Sequence, residues 1–183
     1  MPGRTEILIS GYGGQGVFLM GRILGVAAVR QGLFPSMLLS HGTETRGGYV
    51  RSQVVLADAP VDNPTVEWPD FFCALSQAAY DRFIHLVDRG VVLYDPAEVT
   101  PAPGAKGQHQ AIPAGQLAGQ LGNPLVVNTI FLGRLARLLT GTLDREHILA
   151  TLLERVGRHR EVNEKAFEAG YECDSSAKSQ ASG

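Results

Sequence analysis

A chain of 183 residues, 44% hydrophobic and 19% charged, has ordinary globular composition with slightly few charges and suits one domain with a sizeable core. Its formal net charge of −2 leaves no basic excess to displace counterions from phosphates, which argues against non-specific nucleic-acid binding, and no run approaches the ~18 apolar residues of a membrane helix or resembles a secretory stretch. Two cysteines, Cys73 and Cys173, far apart in the chain, are too few for a four-cysteine iron–sulfur cluster or a structural zinc site, so a reducing cytoplasm is the expected compartment and redox chemistry is expected elsewhere.

Thr5–Ser10 reads as a strand, since Ile7, Leu8 and Ile9 are too continuously apolar for a solvated edge. The loop Gly11–Gly16 follows, and the helical pattern of Val17–Gln31 is closed by Gly32 where a left-handed C-terminal residue belongs. Gly21, Gly25 and Ala28 share one face of that helix. Each interior glycine costs ~1 kcal/mol relative to alanine, so the pair implies close backbone packing, and a helix apolar nearly all round is expected to be covered on both sides.

Ser36–Leu39 is a second predicted strand, Ser40–Gly48 a polar glycine-rich loop and Tyr49–Ala57 a third strand, turned by Asp58-Ala59-Pro60. After an irregular crossing through Pro64 and Pro69, Phe71–Leu75 reads as a buried strand. Ser76 caps a helix whose core face is Tyr80, Phe83, Ile84 and Val87, with Gly90 as its stop. Val91–Tyr94 is another buried strand. The Pro, Gly, Gln and Ala-rich stretch Ala97–Gln110 predicts an exposed connection, with a short edge strand near His109–Ile112. Helices are expected at Ala114–Leu121, at Asn128–Leu139, from an Asp144 cap through Val156, and at Glu161–Ala169 with Gly170 behind it. The fold expected is a single three-layer α/β domain over residues 1–173, with a mostly parallel central sheet. Residues 174–183, small and polar, are expected to be a disordered tail.

Gly11-Tyr12-Gly13-Gly14-Gln15-Gly16 satisfies G-x-G-x-x-G after a strand and at a helix N-terminus, where bare backbone N–H groups and the helix dipole favour an anion. A dinucleotide site needs an acid closing the next strand, and that strand ends Leu38-Leu39-Ser40-His41. Ser40 with Arg46 would be the substitute, for a 2′-phosphate. The competing reading is that the glycines serve strand-to-helix packing alone. Loops at the carboxyl ends of neighbouring parallel strands share a crevice, which would set Thr43, Glu44, Arg46 and Gly47 beside the glycine loop. Arg46 before two glycines is a forked donor suited to a phosphate, a carboxylate or a partner's acid, or else to a surface ion pair. No serine or cysteine nucleophile with an orienting acid is evident near His41, and no histidines have ligand spacing, so neither catalytic residues nor a metal site are expected.

Together G-Y-G-G-Q-G-V at Gly11–Val17 and E-T-R-G-G at Glu44–Gly48 resemble the gamma subunit of 2-oxoacid:ferredoxin oxidoreductases. V-D-N-P before Trp68, Leu93-Tyr94-Asp95, N-T-I-F-L-G from Asn128 and N-E-K-A-F-E-A-G at Asn163–Gly170 follow in order. The chain departs from many members, which carry Tyr-Gly-Pro where His41-Gly42-Thr43 stands. The resemblance implies a cytoplasmic multi-subunit enzyme that oxidatively decarboxylates a 2-oxoacid to an acyl-CoA, with 2-oxoglutarate expected and pyruvate, branched-chain oxoacids and indolepyruvate open. It implies alpha, beta and ferredoxin-like delta subunits as partners, ferredoxin as acceptor, and a homodimer as one state open to the isolated chain. Thiamine diphosphate, magnesium and iron–sulfur clusters are then expected in the companion subunits, coenzyme A as co-substrate, and no cofactor on this chain alone. Carried residue by residue, the implied ligand-side positions are Gly11, Gly13, Gly14, Gln15, Gly16, Thr43, Glu44, Arg46 and Gly47. The implied role is assembly and the coenzyme A-side wall of the active site, with the isolated chain inactive. A stand-alone NADP-binding reductase domain is the alternative.

Overall fold

Apolar runs bounded by glycine and proline become the strands of one six-stranded sheet in the computed structural model, which describes residues 3–41 and 48–173. Its elements in chain order are β1 (Arg4–Tyr12), α1 (Val17–Gln31), β2 (Phe34–His41), β3 (Tyr49–Ala57), β4 (Phe71–Ala74), α2 (Gln77–Phe83), β5 (Val91–Tyr94), β6 (Gln108–Ala111), α3 (Ala114–Gln120), α4 (Val127–Leu138), α5 (Arg145–Arg155) and α6 (Arg160–Glu172). The strands lie in the order β2-β3-β1-β4-β5-β6. β1, β4, β5 and β6 are parallel, while β3 is antiparallel to both β1 and β2, so β2 points the same way as β1. The architecture is the expected mostly parallel α/β domain.

Alternation along the strands divides the core in two. Ile7, Ile9, Val54, Leu56, Cys73 and Leu93 face one side of the sheet, beneath α1 and the α3–α6 group. Leu8, Val55, Phe72, Ala74 and Val92 face the other, against Tyr80 and Phe83 of α2 with Val66, Val87 and Val99. Helices on both faces of the sheet make the three layers.

The helix ends follow their local chemistry. Gly32 is left-handed (φ 86°) and its N–H reaches back to Val29 O at 3.0 Å. Ser76 Oγ accepts from the Ala79 N–H at 3.3 Å, the cap expected for α2. Asp144 makes no side-chain cap; its backbone N–H donates to Gln31 Oε1 at 2.6 Å, tying α5 to the end of α1. Gly170 lies inside α6 rather than behind it, because it is the place where that helix touches α4: a Cβ there would strike the Ile130 carbonyl. α1 is covered on one side only, leaving Phe18 and Val29 exposed.

Candidate functional site

The sheet has its switch point between β1 and β4. The chain leaves β1 toward α1 on one face and leaves β4 toward α2 on the other, so the carboxyl ends of the two strands part and leave a crevice. A cavity of about 340 Å³ opens there, lined among others by Gly14, Gln15, Leu75, Asp95, Asn128 and Phe131.

One wall is the glycine loop. β1 runs through Gly11 to Tyr12, so the first glycine is still a strand residue, paired with Val50. The chain turns with Gln15 N–H on Tyr12 O at 3.2 Å and enters α1 at Gly16. Gln15 locks this turn: its Oε1 accepts from Tyr12 N–H at 2.6 Å and its Nε2 donates to Leu75 O at 2.9 Å, bridging β1 to the end of β4. The glycines then divide by what surrounds them. A Cβ on Gly11 would collide with Gln15 Oε1 and come within 2.8 Å of Leu75 Cβ, and one on Gly16 would collide with the Asn128 carboxamide. Gly14 has φ 91°, a conformation a side chain strains. Gly13 has neither constraint: its φ is not positive and nothing lies within 4 Å of where its Cβ would be.

The opposite wall comes from the second half of the chain. Asn123 Oδ1 accepts from Leu125 N–H at 3.0 Å and opens a short 3₁₀ turn, Pro124–Val126, which leads into α4 and presents Leu125 84% exposed on the cavity rim. α1 and α4 both begin at the crevice with no side-chain cap and no acid in the first turn. Asp95, at the end of β5, is buried and holds the floor: its carboxylate accepts from Ala97 N–H at 2.9 Å and from Gly115 N–H at 2.7 Å. Among the described residues no lysine or arginine lines the cavity, and Glu98 and Asp95 are its only ionisable groups. Backbone donors, carboxamides and apolar carbons therefore dominate the lining, which suits a neutral, extended ligand segment better than a bare phosphate.

Of the candidate positions, Gly11, Gly13, Gly14, Gln15 and Gly16 come together in one loop, of which Gly14 and Gln15 line the cavity, while Thr43, Glu44, Arg46 and Gly47 lie outside the described residues. The ends of their loop, His41 and Gly48, flank the same edge of the sheet as Tyr12, with β3 between β2 and β1. β2 itself stands two strand spacings, about 10 Å, from β1, while Gly48 leads into Tyr49, which pairs with Tyr12, so that end of the loop begins one strand away from the glycine loop. That spacing of β2 from β1 weakens the dinucleotide geometry, which needs the acid-bearing strand beside β1. Asn128, Leu125 and Asp95 were not singled out as site residues by the sequence; the Leu93-Tyr94-Asp95 and N-T-I-F-L-G motifs were the signals for Asp95 and Asn128, and Leu125 carried none.

The cysteines fit this picture. Cys73 is buried in β4 and burial alone pushes its thiol up to about 12, so it is held as a neutral core group rather than a thiolate ligand. Among the described residues no cluster of three metal-ligating side chains occurs, and no helix is long and apolar enough to cross a membrane.

Comparison with known proteins follows the geometry closely. Residues 6–173 match the family described as pyruvate ferredoxin/flavodoxin oxidoreductase. The chain is 38% identical over 175 residues to the 2-oxoglutarate synthase subunit KorC of Methanocaldococcus jannaschii, covering 92% of this chain and 93% of that one. It is 34% identical over 172 residues to the ketoisovalerate oxidoreductase subunit VorA of Methanothermobacter thermautotrophicus, covering 92% of this chain but 36% of VorA. Among solved structures, the gamma subunit of a keto/oxoacid ferredoxin oxidoreductase from Geobacter sulfurreducens superposes with a TM-score of 0.80 at 34% identity, over 92% of this chain and 96% of that one.

Proposed function

This chain belongs to the pyruvate ferredoxin/flavodoxin oxidoreductase family, as a gamma subunit of the 2-oxoacid:ferredoxin oxidoreductase kind, and we propose that it shapes the coenzyme A-side wall of the active site in the assembled enzyme. The observation that carries this reading is the open side of the glycine loop. Gly14 and Gln15 line the crevice at the switch point, and Gly13 beside them is exposed with nothing within 4 Å of where its Cβ would be, so this chain's own packing has no use for its missing side chain. The lining favours the neutral arm of coenzyme A along Leu75, Leu125 and Phe131, with the amides at the starts of α1 and α4 and the Asn128 carboxamide as polar partners. Arg46 and Glu44, on the β2–β3 loop, are proposed for the charged groups further out or for a companion chain.

The substrate proposed is 2-oxoglutarate, on the KorC likeness; the VorA likeness, at 34% identity, makes a branched-chain oxoacid the nearest competitor. Thiamine diphosphate, magnesium and the iron–sulfur clusters are assigned to alpha, beta and ferredoxin-like delta companions in the cytoplasm. There they supply the decarboxylation and electron-transfer chemistry, with ferredoxin as acceptor. This chain's part is to position the acyl acceptor and exclude water from one side, so alone it should turn over no 2-oxoacid. Hydrogen–deuterium exchange on the purified complex tests the reading: coenzyme A should slow exchange in residues 12–19 and 124–129. Unchanged exchange in both segments at saturating coenzyme A would remove this wall from the site.

A further inference from the structure

The outer side of α1 and the free edge of the sheet form a second surface, remote in kind from the crevice. α1 lies across β2 and β3, and Gly21 lets it sit against Ser52. Its far side carries Phe18, Arg22, Val26 and Val29 at helical spacing, with Phe18 46% and Val29 62% exposed. Beside this stripe a groove of about 450 Å³ runs between helix and edge strand, floored by Gly25, Val26, Pro35 and Met37; Gly25 has open space where its Cβ would be. Among the described residues β2 has no strand on its outer side; it carries no acidic residue, lysine or arginine from Phe34 to His41, and leaves Phe34, Leu38 and Leu39 exposed. A monomeric protein normally blunts such an edge with charge.

One cation marks what fits here. Arg22 is exposed in the middle of the stripe, its guanidinium over the Phe18 ring at 6.0 Å, and among the described residues it forms no ion pair. Arg30, the other cation of α1, is already held by Glu154, with two hydrogen bonds of 3.1 and 2.5 Å. The described lining of the groove contains no carboxylate. Pairing β2 with β2 of a second copy across a two-fold axis would set this face beside itself, and neither β2 nor the described lining of the groove offers Arg22 a carboxylate. Charge complementarity therefore favours a different chain.

We propose that this face docks a companion subunit of the same enzyme, through an apolar segment that fills the Gly25–Val29 groove and brings an aspartate or glutamate onto Arg22. This rests on the gamma-subunit reading but not on the crevice. An aromatic beside an arginine within an apolar surround is the composition of an interface hot spot. Arg22 and Val29 are exposed, so substitutions at these two positions leave the core untouched.

The test is reconstitution of the complex from this chain and its companion subunits, with Arg22→Glu and Val29→Asp each compared with wild type. The expected result is at least a tenfold weaker association for both variants, with isolated-chain melting temperatures within about 2 °C of wild type. A photo-crosslinking residue at position 29 of the assembled complex should join a companion chain. Association within twofold of wild type in both variants, or crosslinks only to a second copy of this chain, would overturn the proposal. Failure of the wild-type chain to assemble at all would overturn the gamma-subunit reading with it, whereas assembly that ignores both substitutions overturns the face assignment alone.

Discussion

The crossing of α4 with α6 and the loop between β1 and α1 are both built on glycine, and they use it in opposite ways. At the crossing, a Cβ on Gly133 would strike the Phe167 carbonyl and one on Gly170 the Ile130 carbonyl, so the two helix backbones are in contact and each glycine is explained by the chain itself. Thr129 Oγ1 donating to Asn163 Oδ1 at 2.8 Å fixes the same approach. In the loop, Gly11 and Gly16 are enclosed in the same manner, but Gly13 and Gly14 face nothing within 4 Å. A glycine enclosed by its own chain reports on packing. A glycine facing open space, in a loop that borders a crevice, leaves room for something the chain does not contain.

The largest effect expected is at the crossing. Gly170→Val puts two methyl groups against a backbone carbonyl that cannot swing away, and overpacking of this kind costs about 3 kcal/mol or more. That corresponds to a fall of roughly 10 °C in melting temperature for a chain of this size, measurable by circular dichroism. A shift below 2 °C would mean that the helices are not in backbone contact and would dissolve the contrast between the two regions.

Next comes Gly16→Ala, which combines a left-handed residue (φ 79°) with a collision against Asn128. The expected loss is about 2 kcal/mol, in two separable parts. Removing the collision by Asn128→Ala in the same chain should restore the packing part and leave the conformational part, a coupling that a double-mutant cycle reads directly. Strict additivity would show that Asn128 and the loop do not form one wall. Smaller still is Gln15→Ala, which deletes the bridge between Tyr12 N–H and Leu75 O; with water able to enter the crevice, about 1 kcal/mol is expected, or 2–4 °C in the melting temperature.

These enclosed and open glycines were unequally legible in the sequence. Local signals carried far: Gly32 ended α1 where expected, Tyr49–Ala57 is β3 residue for residue, and the strand-loop-helix opening was evident from Ile7 to Val17. What failed was non-local. The direction of β3 and its place between β1 and β2 depend on pairings that no local period encodes, so β1 and β2 were read as neighbouring parallel strands. Gly170 looked like a helix stop because its reason, Ile130, lies across another helix. In the crevice the glycine wall was legible and the opposite wall was not, since Asn128, Leu125 and Asp95 reach it only through the course of the sheet and α4. Gly14 cannot separate function from packing. With φ 91°, Gly14 is strained by any side chain, so Gly14→Val would lose stability whichever reading holds.

Gly13 makes the separation that Gly14 does not. Its backbone is outside the left-handed region and its surroundings are empty, so Gly13→Ala removes unfolded-state freedom without a folded-state collision and should raise the stability of the isolated chain by up to about 1 kcal/mol. If the crevice receives coenzyme A, the same methyl group stands where the acceptor must approach, and the assembled enzyme should show an apparent KM for coenzyme A raised about tenfold, equivalent to 1.4 kcal/mol. The two measurements then move in opposite directions for one substitution, which no purely structural role produces. A lowered melting temperature would give Gly13 an intrachain reason and place it with Gly11 and Gly16. An unchanged or raised melting temperature with an unaltered KM would leave the loop facing solvent alone, and the difference between enclosed and open glycines would carry no functional meaning.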